Sequence, residues 1–193
     1  MGAAELFPHI RIVMGMVVGL GITRLLMTVA SIIQHPSARS KRSLIHLLWV
    51  ASILIELVLF WWWEFALYDI TDWSFGIFGF LIFYAVTLFL LAALLSPDKL
   101  DEYDGYEDFF LKRRHWFFAI FGLTSLLDIG DTLIKGEPYL DTLGVDYLIQ
   151  VPIVLALCAI AIWTTNRRYH LGLVIVHLLY QAWWIWILSY THT

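Results

Sequence analysis

The chain is short of charge and nearly devoid of cysteine. Charged residues fill 15% of its 193 positions and hydrophobic ones 61%, whereas a water-soluble domain carries about a quarter charged. So large an apolar excess does not fit inside one small soluble core, and the class that remains is a polytopic membrane protein. Cys158 is the single cysteine, which excludes an intrachain disulfide and a cysteine-built zinc cluster. Deep in an apolar run, it reads as a small buried hydrophobe. The net charge of −4 lacks the basic excess that nucleic acid requires, so no such partner is expected. The opening stretch MGAAELFPHIRIV has no basic n-region or short apolar core of a cleaved signal, and Leu6 stands where myristoylation needs Ser or Thr. The first apolar run is therefore expected to stay in place as a helix. No G-x-S-x-G, P-loop or C-x-x-C pattern occurs, and no cofactor is expected.

What is present is a series of long apolar runs. A bilayer core needs roughly 20 apolar residues per helix, and six runs qualify: 10–34, 44–67, 73–96, 114–134, 146–165 and 169–190. None alternates with period two, so helices are the spanning option. The expected fold is an all-α six-helix membrane bundle forming one transmembrane domain over 1–193, with a charged cytoplasmic loop at 97–113. Pro152 is expected to bend the fifth run, and Gly15 and Gly19 have the spacing of a close helix contact.

Basic residues set the expected direction. The first connection holds Arg39, Lys41 and Arg42, the third Lys99, Lys112, Arg113 and Arg114, and the fifth Arg167 and Arg168; the second has none and the fourth only Lys135. By the positive-inside rule the odd connections face the cytoplasm and both termini face away from it. The expected location is a cell membrane, a bacterial inner membrane. Tryptophans 61–63, 73, 183, 184 and 186 then lie near the outer boundary, and 49, 116 and 163 near the inner one, as aromatic belts do. A weak likeness of GITRLL (21–26) to GLTSLL (122–127), and of 75–84 to 171–180, admits a three-plus-three inverted repeat; chance likeness between Leu-rich helices is the favoured explanation.

Polar side chains at depth are costly unless paired or hydrated, so they mark candidate sites. At about 1.5 Å per residue, Arg24, Glu56, His177 and Gln181 come out roughly 12–18 Å from the inner ends of their helices. Glu64, Asp128 and Asp131 form an outer level, with Lys135 just beyond. Arg24, Thr28, Ser31 and His35 share one helix face, as do Thr124, Asp128, Asp131 and Lys135. One reading is a proton or ion path, with Arg24 and Glu56 as a gate pair, His177 as a relay and Glu64, Asp128 and Asp131 as a vestibule. The structural alternative is an Arg24–Glu56 bridge locking helices together, with the outer acids solvated at the boundary.

His35, His46, His115 and His170 project to the inner boundary, on four different helices and without metal-ligand spacing, so they are weak metal candidates. Lys112, Arg113 and Arg114 suit anionic headgroups or a partner. Three functions follow in order: a channel or proton- or ion-coupled transporter; a non-catalytic subunit or scaffold binding a membrane partner or a second copy; and a membrane enzyme at the inner histidines. The lipid bilayer is the one partner common to all.

Overall fold

The computed structural model describes residues 3–34, 42–70 and 72–191, and the secondary structure among them is entirely helical. The elements are α1 (Ala3–Gln34), α2 (Leu44–Trp63), a 3-10 helix (Glu64–Asp69), α3 (Phe75–Leu94), α4 (Tyr106–Lys135), α5 (Glu137–Trp163) and α6 (Arg167–Thr191). Five stretches are long and apolar enough to cross a bilayer: Phe7–Gln34, Leu44–Asp69, Phe75–Leu94, Tyr106–Lys135 and Arg167–Ser189. The protein is thus a helical chain with the build of a polytopic membrane protein. The remaining expected span, 146–165, is continuous as Tyr147–Trp163 but is preceded by a break. Glu137–Gly144 and Tyr147–Trp163 pass the same test only together and meet at 76°.

Local chemistry explains most element ends. Ser43 and Ser74 cap α2 and α3, each accepting a backbone N–H three residues on, at 3.3 and 3.2 Å. Helix α4 starts at Tyr106, so residues 106–113 of the expected loop are helical; Glu107 and Asp108 in its first turn suit the positive end of the helix dipole. The bend in α5 falls at Gly144 and not at Pro152. Gly144 has φ 71°, a conformation that only glycine adopts freely. Pro152 loses one backbone donor, but its fixed φ is helical and the helix continues through it.

Helix α2 is the centre of the bundle, touching α1, α3, α4 and α6, while the most extensive pairs are α4 with α5 and α1 with α3. Helices α5 and α6 barely meet beyond their shared turn. The α1–α3 pair has no α4–α6 counterpart of similar extent, so the packing does not follow the three-plus-three repeat. In lipid, close approach is favoured by small residues. Gly15 serves this way, since a Cβ there would come within 2.8 Å of the Trp61 ring. Its expected companion Gly19 touches nothing; Gly21 against Leu57 takes that role. Below the middle of the bundle Trp49 is fully buried among Phe110, Phe117, Phe118 and Phe121, with ring centroids 5.0–6.4 Å away. It belongs to a core cluster and not to the expected inner belt, whereas Trp116 and Trp163 are exposed.

A carboxyl-lined cavity between α2, α4, α5 and α6

The Trp49 cluster is the floor of a cavity of about 400 Å³. His177 of α6 lies on that floor, stacked 5.9 Å from Trp49 and edge-on to Phe121 at 5.0 Å. Its Nδ1 is 2.6 Å from Ser52 Oγ, and its Nε2 is 4.0 Å from Glu56 Oε2. Gln181, one turn further along α6, donates to Glu56 Oε2 at 2.7 Å and to the Ser52 carbonyl at 3.0 Å. Helical spacing produces this cluster. Ser52 and Glu56 are four apart on α2, His177 and Gln181 four apart on α6, so two short polar stripes face each other. Glu56 sits deep in the bundle, yet 25% of its side chain remains accessible because it faces the cavity.

Above this level Asp128 of α4 accepts the Tyr147 hydroxyl at 2.9 Å and the Tyr84 hydroxyl at 3.4 Å. Tyr147 also meets Thr132 at 3.1 Å, and Tyr180 is hydrogen-bonded to Gln150. At the top, Lys135 Nζ donates to Glu64 Oε1 at 3.0 Å and to Asp131 Oδ2. All three side chains are almost fully buried, at 2–3% exposure. Glu64 Oε2, Asp131 Oδ1 and Gln181 Oε1 are buried acceptors with no hydrogen-bond partner. Tyr139 and Leu143, from the bent start of α5, cover this end, with Lys135 Nζ 5.1 Å from the centre of the Tyr139 ring.

The cavity wall therefore carries four carboxyl groups, Glu56, Glu64, Asp128 and Asp131, against one ammonium, Lys135. An unbalanced group of negative charges inside a membrane protein is costly. Water in the cavity, a proton or a cation can offset it.

No family model, curated protein or solved structure matches this chain. Its chemistry is read from geometry alone. Six of the sequence-derived candidates, Glu56, Glu64, Asp128, Asp131, His177 and Gln181, line this one cavity. Arg24 does not. Its guanidinium donates to Asp98 at 2.6 Å and to the Ser96 carbonyl at 3.4 Å, so the Arg24–Glu56 pair is not formed. The depth estimate failed because α1 has 32 residues, about 48 Å at 1.5 Å each, against a core of about 30 Å. Arg24 lies level with the end of α3, and its bridge is a solvent-exposed one, at 40% and 78% exposure. Among the described residues the α1 and α4 polar stripes likewise do not meet: α4's runs along the cavity, whereas on α1 Arg24 lies beside Ser96 and Asp98 and Ser31 is hydrogen-bonded to Tyr106 at the start of α4.

Among the described residues the inner histidines are engaged separately. His46 is buried with Nε2 2.7 Å from the Leu95 carbonyl, His170 is 3.0 Å from the Thr164 carbonyl, and His115 is exposed. His35 lies outside the described residues, as do Arg39 and Lys41. Among the described residues no group of three His, Cys, Asp or Glu side chains could hold a metal ion. Of the basic triplet, Lys112 pairs with Asp108 at 2.8 Å, Arg113 with the Tyr103 hydroxyl at 2.9 Å, and Arg114 with the Leu111 carbonyl at 2.6 Å.

Several cavity residues escaped the sequence reading. Lys135 was placed beyond the outer acids, although its i, i+4 spacing from Asp131 signalled a pair. Tyr84, Tyr147, Tyr180 and Gln150 were not singled out as site residues, although Gln150 in an apolar run is a signal of one. Outside the cavity, Arg11 packs over the rings of Trp61 and Phe65 at 4.7 and 3.5 Å, a contact that sequence spacing does not signal.

Proposed function

We propose that this protein is a six-span, proton- or cation-coupled transporter of a cell membrane, and that the carboxyl-lined cavity is its carrier site. The observation that carries this reading is the excess of carboxyl groups over ammonium on the wall of a single cavity. The sixth span is the bent α5, with Glu137–Gly144 folded over the cavity mouth between Gly136 (φ 93°) and Gly144 (φ 71°). The basic residues at positions 39–42, 99–114 and 167–168 support a cytoplasmic floor and a mouth, with both termini, on the other side. A bacterial inner membrane is the location this reading takes.

The closed floor of Trp49 and its phenylalanines favours a carrier that alternates between faces over an open channel. A scaffold would be expected to pack its interior dry, and the polar cavity weighs against it. An enzyme at the inner histidines would need an imidazole open to its substrate, and His46 and His170 are both fully buried.

The test is proton flux into liposomes containing the purified protein, followed with a trapped pH-sensitive dye. Glu56→Gln and Asp128→Asn are each expected to slow flux on the order of tenfold or more, as removal of a buried titratable group from a path should. Arg24→Ala, outside the cavity, is expected to leave it within about twofold, as an exposed bridge contributes little. Flux that is unchanged in both cavity variants overturns the reading.

A further inference from the structure

We propose that the ligand of this cavity is an apolar organic cation, an alkyl- or aryl-substituted ammonium or its phosphonium analogue, entering from the bilayer between α5 and α6. Its passage across the membrane rests on the carrier reading above; its binding does not.

Size is the first reason. A cavity of about 400 Å³ would hold about a dozen waters at ~30 Å³ each and lies in the range of small-molecule sites. That is far more space than a proton or a bare metal ion requires. The distribution of the acids is the second. No three of the described carboxyl, imidazole or thiol groups gather as they would around a metal ion; the carboxyls are spread at three levels of one wall. The composition of the wall is the third. Trp63, Tyr84, Tyr147, Tyr180 and Trp184 stand beside the carboxyls, and Trp63 and Tyr180 each lie edge-on to Trp184, at 6.2 and 6.3 Å. Aromatic faces combined with anionic groups attract weakly hydrated organic cations, by ring quadrupole and by charge. The Tyr84 and Tyr147 hydroxyls are already committed to Asp128, which fixes their rings.

The route follows from the gap between α5 and α6. Ile149 and Ile153 of α5 and Val176 of α6 line the cavity, and each is more than half exposed. The two helices meet near their turn, where the Tyr169 hydroxyl reaches the Leu157 carbonyl at 2.8 Å, and again where Tyr180 meets Gln150. Between these ties Ile153, Val154, Leu173 and Val176 make the wall apolar, and the proposed route passes sideways between them from the lipid tails. A solute that already partitions into the membrane enters there without crossing the polar rim.

The experiment uses the full chain in phosphatidylcholine nanodiscs, with protein-free discs as the blank. The probes are tetraphenylphosphonium and tetraphenylborate, ions of the same shape and opposite charge. The expected result is saturable binding of the cation alone, weakened on the order of tenfold or more by Glu56→Gln and by Asp128→Asn, as loss of a buried charge partner predicts. Equal binding of both ions, or of neither, overturns the proposal. So does cation binding that neither variant changes while both remain monodisperse. Ile153→Trp, a lipid-facing change at the portal, is expected to slow association by about tenfold with a smaller change in affinity, the signature of an obstructed entrance. An unchanged association rate overturns the lateral route. Proton flux without binding of tetraphenylphosphonium would leave the carrier and remove this ligand class. Binding without proton flux would do the reverse.

Discussion

Glu64 carries the main lesson at the scale of single residues. In LFWWWEF it follows three tryptophans, and its position near a boundary suggested an acid one step from water. It is instead 1% exposed and held by Lys135. The chain leaves α2 for a 3-10 helix at that residue, and the side chain turns to α4. The tryptophans divide the remaining directions: Trp61 packs on Gly15 of α1, Trp62 is exposed, and Trp63 meets Trp184 of α6. Because Lys135 is the single ammonium among four carboxyls, its loss leaves buried charge unpaired. Lys135→Met is expected to destabilise the protein by about 3–5 kcal/mol. Thermal unfolding in detergent measures this, and the triple change Lys135→Met, Glu64→Gln, Asp131→Asn should recover most of the loss. A triple variant no more stable than the single one would mean that charge is not the cause.

At the scale of elements, glycines separate into those that matter and those that do not. Gly144 takes a positive φ where α5 turns by 76°, and an L-residue there is strained by roughly 1–3 kcal/mol. Gly144→Ala is expected to lower the melting temperature and to shift the Glu137–Gly144 segment over the cavity mouth, read as a changed rate of ligand release. Gly19→Ala, with nothing near it, should be close to neutral or slightly stabilising, since alanine favours helix by up to about 1 kcal/mol. Comparable losses from both would remove the argument that the bend depends on glycine geometry. The GMVVG spacing pointed at Gly15 and Gly19 together, because sequence spacing identifies a helix face and not the neighbour that covers it. The cover turned out to be a tryptophan ring over one glycine alone.

At the scale of the whole molecule, the arrangement of faces is the issue. Five continuous apolar helices and one bent one give a bundle around α2, and the side on which the cavity opens depends on orientation. Cysteine labelling tests this, with the buried native Cys158 as a quiet background. Asp72→Cys, in the connection before α3, is expected to react with a membrane-impermeant maleimide on intact cells. Lys99→Cys, in the connection before α4, should react only after permeabilisation. The opposite pattern would invert the protein and place the aromatic floor outside.

Much of this was determined by the sequence alone. Charge scarcity and long apolar runs dictate helices in lipid, because a backbone without water must satisfy its own hydrogen bonds. Spacing along single helices likewise put Asp128, Asp131 and Lys135 on one face of α4, and His177 and Gln181 on one face of α6. Depth and partnership were decided by tertiary structure. Helix length beyond the bilayer carried Arg24 away from Glu56 to Asp98, and one glycine moved the bend of α5 from Pro152 to Gly144. Which polar faces meet across a gap depends on how helices rotate and cross, a global packing outcome that no local pattern encodes. The cavity exists because α5 and α6 separate above their turn, leaving four carboxyl groups and one lysine around a shared space.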